Sequence, residues 1–318
     1  MEIIKRIQVP TGDILIGNGA LGKLEFLSLG DYGKEINLNQ HRRVDHCEVM
    51  PLTEKWVITI STQYGCSMGC KFCDVPKVGP GRNATFYDLL GQIIEGIGIY
   101  PEVPRTKRLN IHFARMGEPS WNPSVLDCAK WIHEHIGPDH DVVHPVVSTM
   151  MPVNNIWLKT FIHAWMRIKN RIYRGDAGLQ ISINSTNEFE RMEMFNRNAC
   201  SLPEISKIMD GIVPKGRKIT LNFAVAKWEI DPDVLLKYFD PQLYIIKLTP
   251  MHKTAAAENN GIKTKGDYTD YYPYRNYEIS LKNAGYDVLV FIASKEEDES
   301  RITCGNAVLA DRKHPKGE

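Results

Sequence analysis

Several familiar protein classes are excluded by what this sequence lacks. No apolar run reaches the roughly 18 residues a helix needs to cross a bilayer. No charged stretch followed by an apolar one opens the chain, so neither a membrane span nor a secretory leader is expected. Neither sign of charge dominates: 39 Lys and Arg face 38 Asp and Glu, a formal net of +1, so bulk charge does not announce a nucleic-acid partner. Internal repeats are absent. A disulfide framework is missing too, because the seven cysteines are odd in number and three of them crowd into one stretch. That usage points to a reducing cytoplasm and to metal or thiol chemistry.

What is present is a chain of 318 residues, 43% apolar and 24% charged, enough for one large α/β domain or two small ones. Local basic runs occur at 41–43, 104–108, 169–174, 214–218 and in the tail from 311. Most such runs are solvated faces, although a stripe of them can hold a folded RNA through its phosphates. Six β-rich segments read as strands: WVITIST (56–62), RLNIHFARM (108–116), HPVVSTMM (144–151), LQISIN (179–184), KITLNFAVA (218–226) and LYIIKLTPM (243–251). Amphipathic segments separate them at 86–100, 124–136, 154–168, 202–212 and 231–239. This alternation predicts an α/β fold, a parallel sheet in a series of six β–α units, with its chemistry at the carboxyl ends of the strands. Residues 1–45 predict a small β extension, 46–293 the main α/β unit ending in the strand DVLVFIA (287–293), and 294–318 a short tail. The weakly periodic 254–275 reads as a long loop.

The segment YGCSMGCKFCDVPKVG (64–79) sets Cys66, Cys70 and Cys73 in a C-x3-C-x2-C spacing. A structural zinc site closes with four ligands, often as two separated pairs. A four-iron cubane normally takes four thiolates, so three in one loop leave one iron open to an outside ligand. The amino and carboxylate groups of S-adenosylmethionine (SAM) suit that position. A zinc knuckle completed by a distant fourth ligand such as Cys304 is the plainer alternative. The spacing, with Phe72 just before the last Cys, resembles the signature of radical SAM enzymes.

The resemblance extends to the RlmN/Cfr family of RNA adenosine-C2 methyltransferases. STQYGCSMGCKFCDVPKVGPGRNAT (61–85) resembles that family's cluster segment, with Lys77, Gly79, Arg82 and Asn83 in register. ARMGEPSWN (114–122), ISINSTNE (181–188), IKLTPMH (246–252) and ITCGNAVLA (302–310) resemble further family motifs in order. The resemblance implies a partial (β/α)6 radical SAM barrel, a 4Fe-4S cluster on Cys66, Cys70 and Cys73, and SAM as cofactor. It further implies that Gly117 and Glu118 hold the SAM ammonium and that Ser148, Ser182, Asn184 and His252 bind the rest. Alone, Glu118 would read as a surface residue in a Gly-Pro turn, and His252 as a satisfied polar residue. Cys304 matches the family Cys that carries a methyl group from one SAM to C2 of adenine, where otherwise it would be an inert small apolar residue. The implied partners are RNA (tRNA or rRNA) and an electron donor such as flavodoxin or ferredoxin, without a membrane.

The chain departs from that pattern. The family breaks its enzyme–RNA adduct with a second Cys seven residues before the first cluster Cys, and Thr59 stands there. A hydroxyl cannot form the disulfide. Where the family carries a Glu base stands His46, which titrates near neutrality, with Cys47 beside it as a candidate substitute thiol. Cys128 and Cys200 read as structural. Only β-like residues precede the match, where the family usually has a helical RNA-binding domain. Three readings follow: a methyltransferase working through methylated Cys304, a radical SAM enzyme acting directly on another substrate, and a non-catalytic iron–sulfur or zinc protein.

Overall fold

The computed structural model describes residues 1–31, 49–263, 272–291 and 306–313. The chain opens with an antiparallel meander, β1 (Glu2–Val9), β2 (Gly12–Gly19) and β3 (Gly22–Leu29). The predicted β extension is therefore strand, and it continues the main sheet, because β3 pairs antiparallel with β4 (Trp56–Ile60). A small hairpin of β5 (Gln63–Gly65) and β6 (Pro80–Asn83) follows and brackets the cysteine loop.

From β4 the sheet runs parallel through β7 (Leu109–Phe113), β8 (Val143–Thr149), β9 (Gly178–Ser182), β10 (Ile219–Val225), β11 (Tyr244–Pro250) and β12 (Asp287–Val290). The ten strands lie in chain order apart from the hairpin, with β1 and β12 at the edges. Parallel neighbours require crossovers, and the helices supply them: α1 (Phe86–Gly98), α2 (Ser124–His135), α3 (Leu158–Arg167), α4 (Glu188–Met194), α5 (Leu202–Met209) and α6 (Pro232–Leu236). Two of their starts are written in the sequence as capping boxes. Thr85 and Asp88 satisfy each other's backbone N–H at α1, and Ser201 and Glu204 do the same at α5.

The sheet's two faces differ. Odd and even residues of a strand point to opposite sides. Along β4, β10 and β11, buried and half-buried positions alternate strictly. The buried set, including Trp56, Ile58, Ile111, Phe113, Leu221, Phe223, Ile246 and Leu248, packs in the core. The half-buried set is polar at many positions, unlike a parallel sheet covered on both faces.

One expectation is corrected. Residues 254–275 are not one loop: α7 (Ala255–Asn259) starts there, and α8 (Tyr272–Asn283) begins within it. Thr254 caps α7 by accepting from the Ala257 N–H, and Asp74, far away in sequence, accepts from the N–H groups of Ala255 and Ala256. A cap delivered across about 180 positions leaves no local periodicity to read. The described residues close with α9 (Asn306–Lys313). His46, Cys47 and Cys304 lie outside the described residues.

Candidate functional site

The carboxyl ends of the parallel strands surround one cavity of about 420 Å³. Cys66, Cys70 and Cys73 reach it from the loop after β4, Gly117 and Glu118 from the end of β7, Ser148 from β8, Ser182 from β9 and His252 from the end of β11. Asn184 is not among the lining residues. It is buried, adopts a left-handed φ of 60°, and its Oδ1 accepts from the Ala224 N–H at 2.9 Å, so it ties β9 to β10 beneath Ser182.

The cysteine loop is fixed from several sides. The Asn198 amide donates to the Met68 carbonyl at 2.8 Å, and the Lys71 N–H to the Met194 carbonyl at 2.9 Å. Thr254 Oγ1 donates to the Phe72 carbonyl at 2.7 Å, and Phe72 meets Phe195 edge-on. Buried Asp74 locks the loop to α7 and also takes Lys77 at 2.5 Å. Cys70 is buried with Met68, Met194 and Phe195 in a small apolar cluster of their own.

Burial pushes the Cys70 thiol well above its ordinary range, and the charges of Cys73, Cys66 and Glu118 push it further. Three thiolates in that setting need a compensating cation. Three thiols from one loop leave one iron of a four-iron cubane open, whereas a structural zinc closes with four ligands. The donor set therefore fits a 4Fe-4S cluster.

Glu118 is 2% exposed. Burial raises its carboxyl pKa, opposed by donors from the Met150 N–H at 2.8 Å, Thr149 Oγ1 at 2.7 Å and the Ser120 N–H at 3.0 Å. The carboxylate is thus aimed and held by the ends of β7 and β8, leaving spare acceptor capacity toward the cavity. Its backbone is set by Gln63. The Gln63 side chain accepts from the Glu118 N–H at 2.9 Å and donates to the Gly81 carbonyl at 2.8 Å, so one amide stitches the hairpin to the Gly-Glu-Pro turn. Gly117 must be glycine: its φ is 94°, and a Cβ would stand 2.7 Å from the Gln63 backbone nitrogen.

Sequence reasoning missed three supports. Gln63 was visible within the Ser-x-Gln-x-Gly lead-in, but its role needs the hairpin. Asp74 has no local signal except its place after Cys73. Arg191, 2% exposed, donates to the Ile183 carbonyl and, at 3.0 Å, to the Cys200 carbonyl, and reaches the Ser182 carbonyl at 3.4 Å. It braces the turn after Ser182, and nothing in its own segment announces that. Cys128 and Cys200 are buried, with thiols pushed up by burial, to about 11 for Cys200. No helix among the described residues is long and apolar enough to cross a membrane.

No family model matches the chain. It is 25% identical over 278 residues to the dual-specificity RNA methyltransferase RlmN of Marinomonas sp., covering 82% of this chain and 68% of that protein. It is 31% identical over 151 residues to RlmN of Solidesulfovibrio magneticus, covering 47% of this chain and 40% of that protein. Among solved structures, SuiB of Streptococcus suis bound to S-adenosylmethionine aligns with a TM-score of 0.46 and 11% identity, over 77% of this chain and 48% of that one. The chain thus resembles the RlmN methyltransferases and spans 40 to 68% of the length of these two relatives.

Proposed function

We propose that this chain is a divergent RlmN-like radical SAM enzyme that methylates an sp2 carbon of a nucleobase, adenine in RNA, through methylated Cys304. The observation that carries the reading is the cavity at the strand ends. It joins three thiols of C-x3-C-x2-C spacing to a buried, donor-held Glu118. The similarity to RlmN proteins along most of the chain supports it.

In this reading the sheet is the partial (β/α)6 barrel of that family. Cys66, Cys70 and Cys73 hold a 4Fe-4S cluster, and their fixed loop keeps the three sulfurs in place. When bound, the cluster and SAM together supply a 5′-deoxyadenosyl radical, using an electron from flavodoxin, ferredoxin or a similar donor. Glu118 takes the SAM ammonium in a charge-assisted contact, on the Gly117 turn that lets the backbone approach. Ser148 and Ser182 offer hydroxyls from neighbouring strands, His252 a ring nitrogen, and Asn184 shapes the turn beneath Ser182. Buried walls of Met68, Val75 and Met251 exclude water from the reacting atoms. Cys304 is the methyl carrier, a soft nucleophile that is easily alkylated, and His46 the base. The place of action is the cytoplasm.

A second reading keeps the radical chemistry and drops the methyl shuttle. Thr59 favours it, because it lines the cavity at the position of the resolving Cys and cannot form a disulfide. The experiment is mass spectrometry of the Cys304 peptide after anaerobic incubation of the iron-loaded protein with SAM and reductant. A methyl adduct on Cys304, absent in Cys304→Ala, supports the first reading. Abundant 5′-deoxyadenosine beside an unmodified Cys304 supports the second. No 5′-deoxyadenosine and no iron bound refute both.

A further inference from the structure

Three segments far apart in sequence meet beside the cavity at two charged side chains that the cofactor assignments leave without a role. Glu25 lies within β3 and is 0% exposed. Arg115 follows β7, three residues before Glu118, and is buried. Its Nε lies 2.8 Å from Glu25 Oε1 in a salt bridge. The other carboxylate oxygen, Oε2, accepts from the Val308 N–H of α9 at 3.1 Å. Arg115 lines the cavity together with Leu27 and Thr59, which pair in register across β3 and β4. One ion pair thus joins the tail helix, the β extension and the strand end that carries Glu118.

The backbone around the pair is pinned. Ser61 Oγ donates to the Glu25 carbonyl at 2.5 Å and accepts from the Met116 N–H at 3.2 Å. The Arg115 N–H donates to the Ile60 carbonyl at 3.0 Å. Both charges are therefore presented by fixed strands, and α9 comes to them. It packs against β2 and β3, with Ala307 and Val308 buried in the main core.

Stability alone does not explain this arrangement. Taking a carboxylate and a guanidinium out of water costs about as much as their attraction returns, and apolar replacements of similar volume are often as stable or more so. What the carboxylate adds is direction. It accepts one of the N–H groups that the first turn of a helix leaves unpaired, and its charge suits the positive end of the helix dipole. With one oxygen on Arg115 and the other on Val308, the register of α9 against the cavity edge is set. Sliding α9 by one residue would take that donor away from a buried carboxylate. Cys304 precedes α9 by only two positions in the chain, so the seat of α9 limits where the Cys304 thiol can act.

We propose that Glu25 and Arg115 are positioning residues for the methyl carrier: they seat α9 so that the tail delivers Cys304 to the cavity. This rests on the Cys304 reading above and deepens it by naming what holds the carrier in place. Glu25 lies upstream of every motif that resembles the RlmN family, so the resemblance assigns it nothing. In the step the pair serves, the Cys304 thiol gives its proton to solvent and its sulfur attacks the SAM methyl group. A carbon–sulfur bond forms as the sulfonium bond to that methyl breaks, and S-adenosylhomocysteine leaves.

The test uses the full chain, iron-loaded anaerobically, as wild type, Glu25→Gln and the double variant Glu25→Leu/Arg115→Met. The double variant removes both charges, so no buried charge is left unpaired and the chain is expected to fold. Hydrogen–deuterium exchange of the 306–313 peptide reports the seat. Mass spectrometry of the Cys304 peptide at saturating SAM reports the methylation rate, with S-adenosylhomocysteine counted alongside. In the double variant, exchange at 306–313 should rise about tenfold or more, as loss of a hydrogen bond to a charged group gives. Methylation should slow about tenfold or more, as misplacement of a reacting group gives. Glu25→Gln keeps an acceptor for the Val308 N–H and should fall between the two. Faster exchange with an unchanged methylation rate at saturating SAM overturns the positioning role while the Cys304 reading stands. Unchanged exchange in the double variant overturns the seat itself. No methylation of wild-type Cys304 overturns the Cys304 reading and the positioning role with it.

Discussion

Gly117→Ala is the most exposing perturbation of this site. At a φ of 94° an L side chain is strained, a cost of about 1–3 kcal/mol. The new Cβ would stand 2.5 Å from Gln63 Cβ and 2.7 Å from the Gln63 backbone nitrogen. That nitrogen cannot swing aside, because it donates to the Met116 carbonyl, as does the N–H of Thr62. Overpacking against such a wall adds about 1–3 kcal/mol. Together these give a loss of about 2–6 kcal/mol. At about 2 °C per kcal/mol for a chain of this size, Tm should fall by about 4–12 °C. The control is Gly98→Ala at the end of α1, where a Cβ meets nothing within 4 Å. There the change should be neutral or stabilising by up to about 1 kcal/mol. Differential scanning calorimetry of the metal-free chain compares the two, and SAM affinity of the iron-loaded protein should fall only for Gly117→Ala. Equal Tm for the two variants would refute the close-approach argument.

Three further outcomes follow from the same geometry. Arg191→Met strips the donors from the carbonyls of Ile183 and Cys200, so urea denaturation should show a loss of about 2–5 kcal/mol, and a loss below about 1 kcal/mol would contradict the bracing role. Asp74→Ala uncaps α7 and frees the cysteine loop. It should cost about 1–3 kcal/mol and hasten proteolysis at 254–263, and an unchanged digestion rate would count against the clamp. His144 is 3% exposed, its buried Nδ1 has no hydrogen-bond partner among the described residues, and burial, reinforced by Arg217 and Arg108, lowers its pKa from 6.5 to about 2. Below about pH 6.5 the unfolded chain binds a proton that the folded chain refuses. Stability is therefore full above that pH and falls by about 1.4 kcal/mol per unit as pH drops toward 2. His144→Gln should flatten the slope by that amount in acid titrations of Tm, and an unaltered slope would refute the assignment.

Much of the architecture was legible in the residues. Each segment from WVITIST to LYIIKLTPM is a strand in the expected place, because alternating apolar residues at period two have only one low-energy way to bury one face. Capping boxes at Thr85 and Ser201 marked two helix starts for an equally local reason. The spacing of Cys66, Cys70 and Cys73 announced a three-thiol site without any coordinates.

What the chain could not declare locally was everything made by contacts across it. Asp74 capping α7, Gln63 joining the hairpin to Gly117–Glu118, and Arg191 bracing Ser182 all rest on single polar side chains. One polar residue carries no periodicity, and its partners lie tens of positions or more away for Asp74 and Gln63. The cavity lining is the same case. Gln180 and Asn222 look like ordinary solvent-facing positions of alternating strands. Only the parallel pairing of β9, β10 and β11 brings both into the lining of one cavity. Local pattern determines which residues become strand and which face turns inward. Strand order and register, set by the packing of the whole core, decide which polar groups meet.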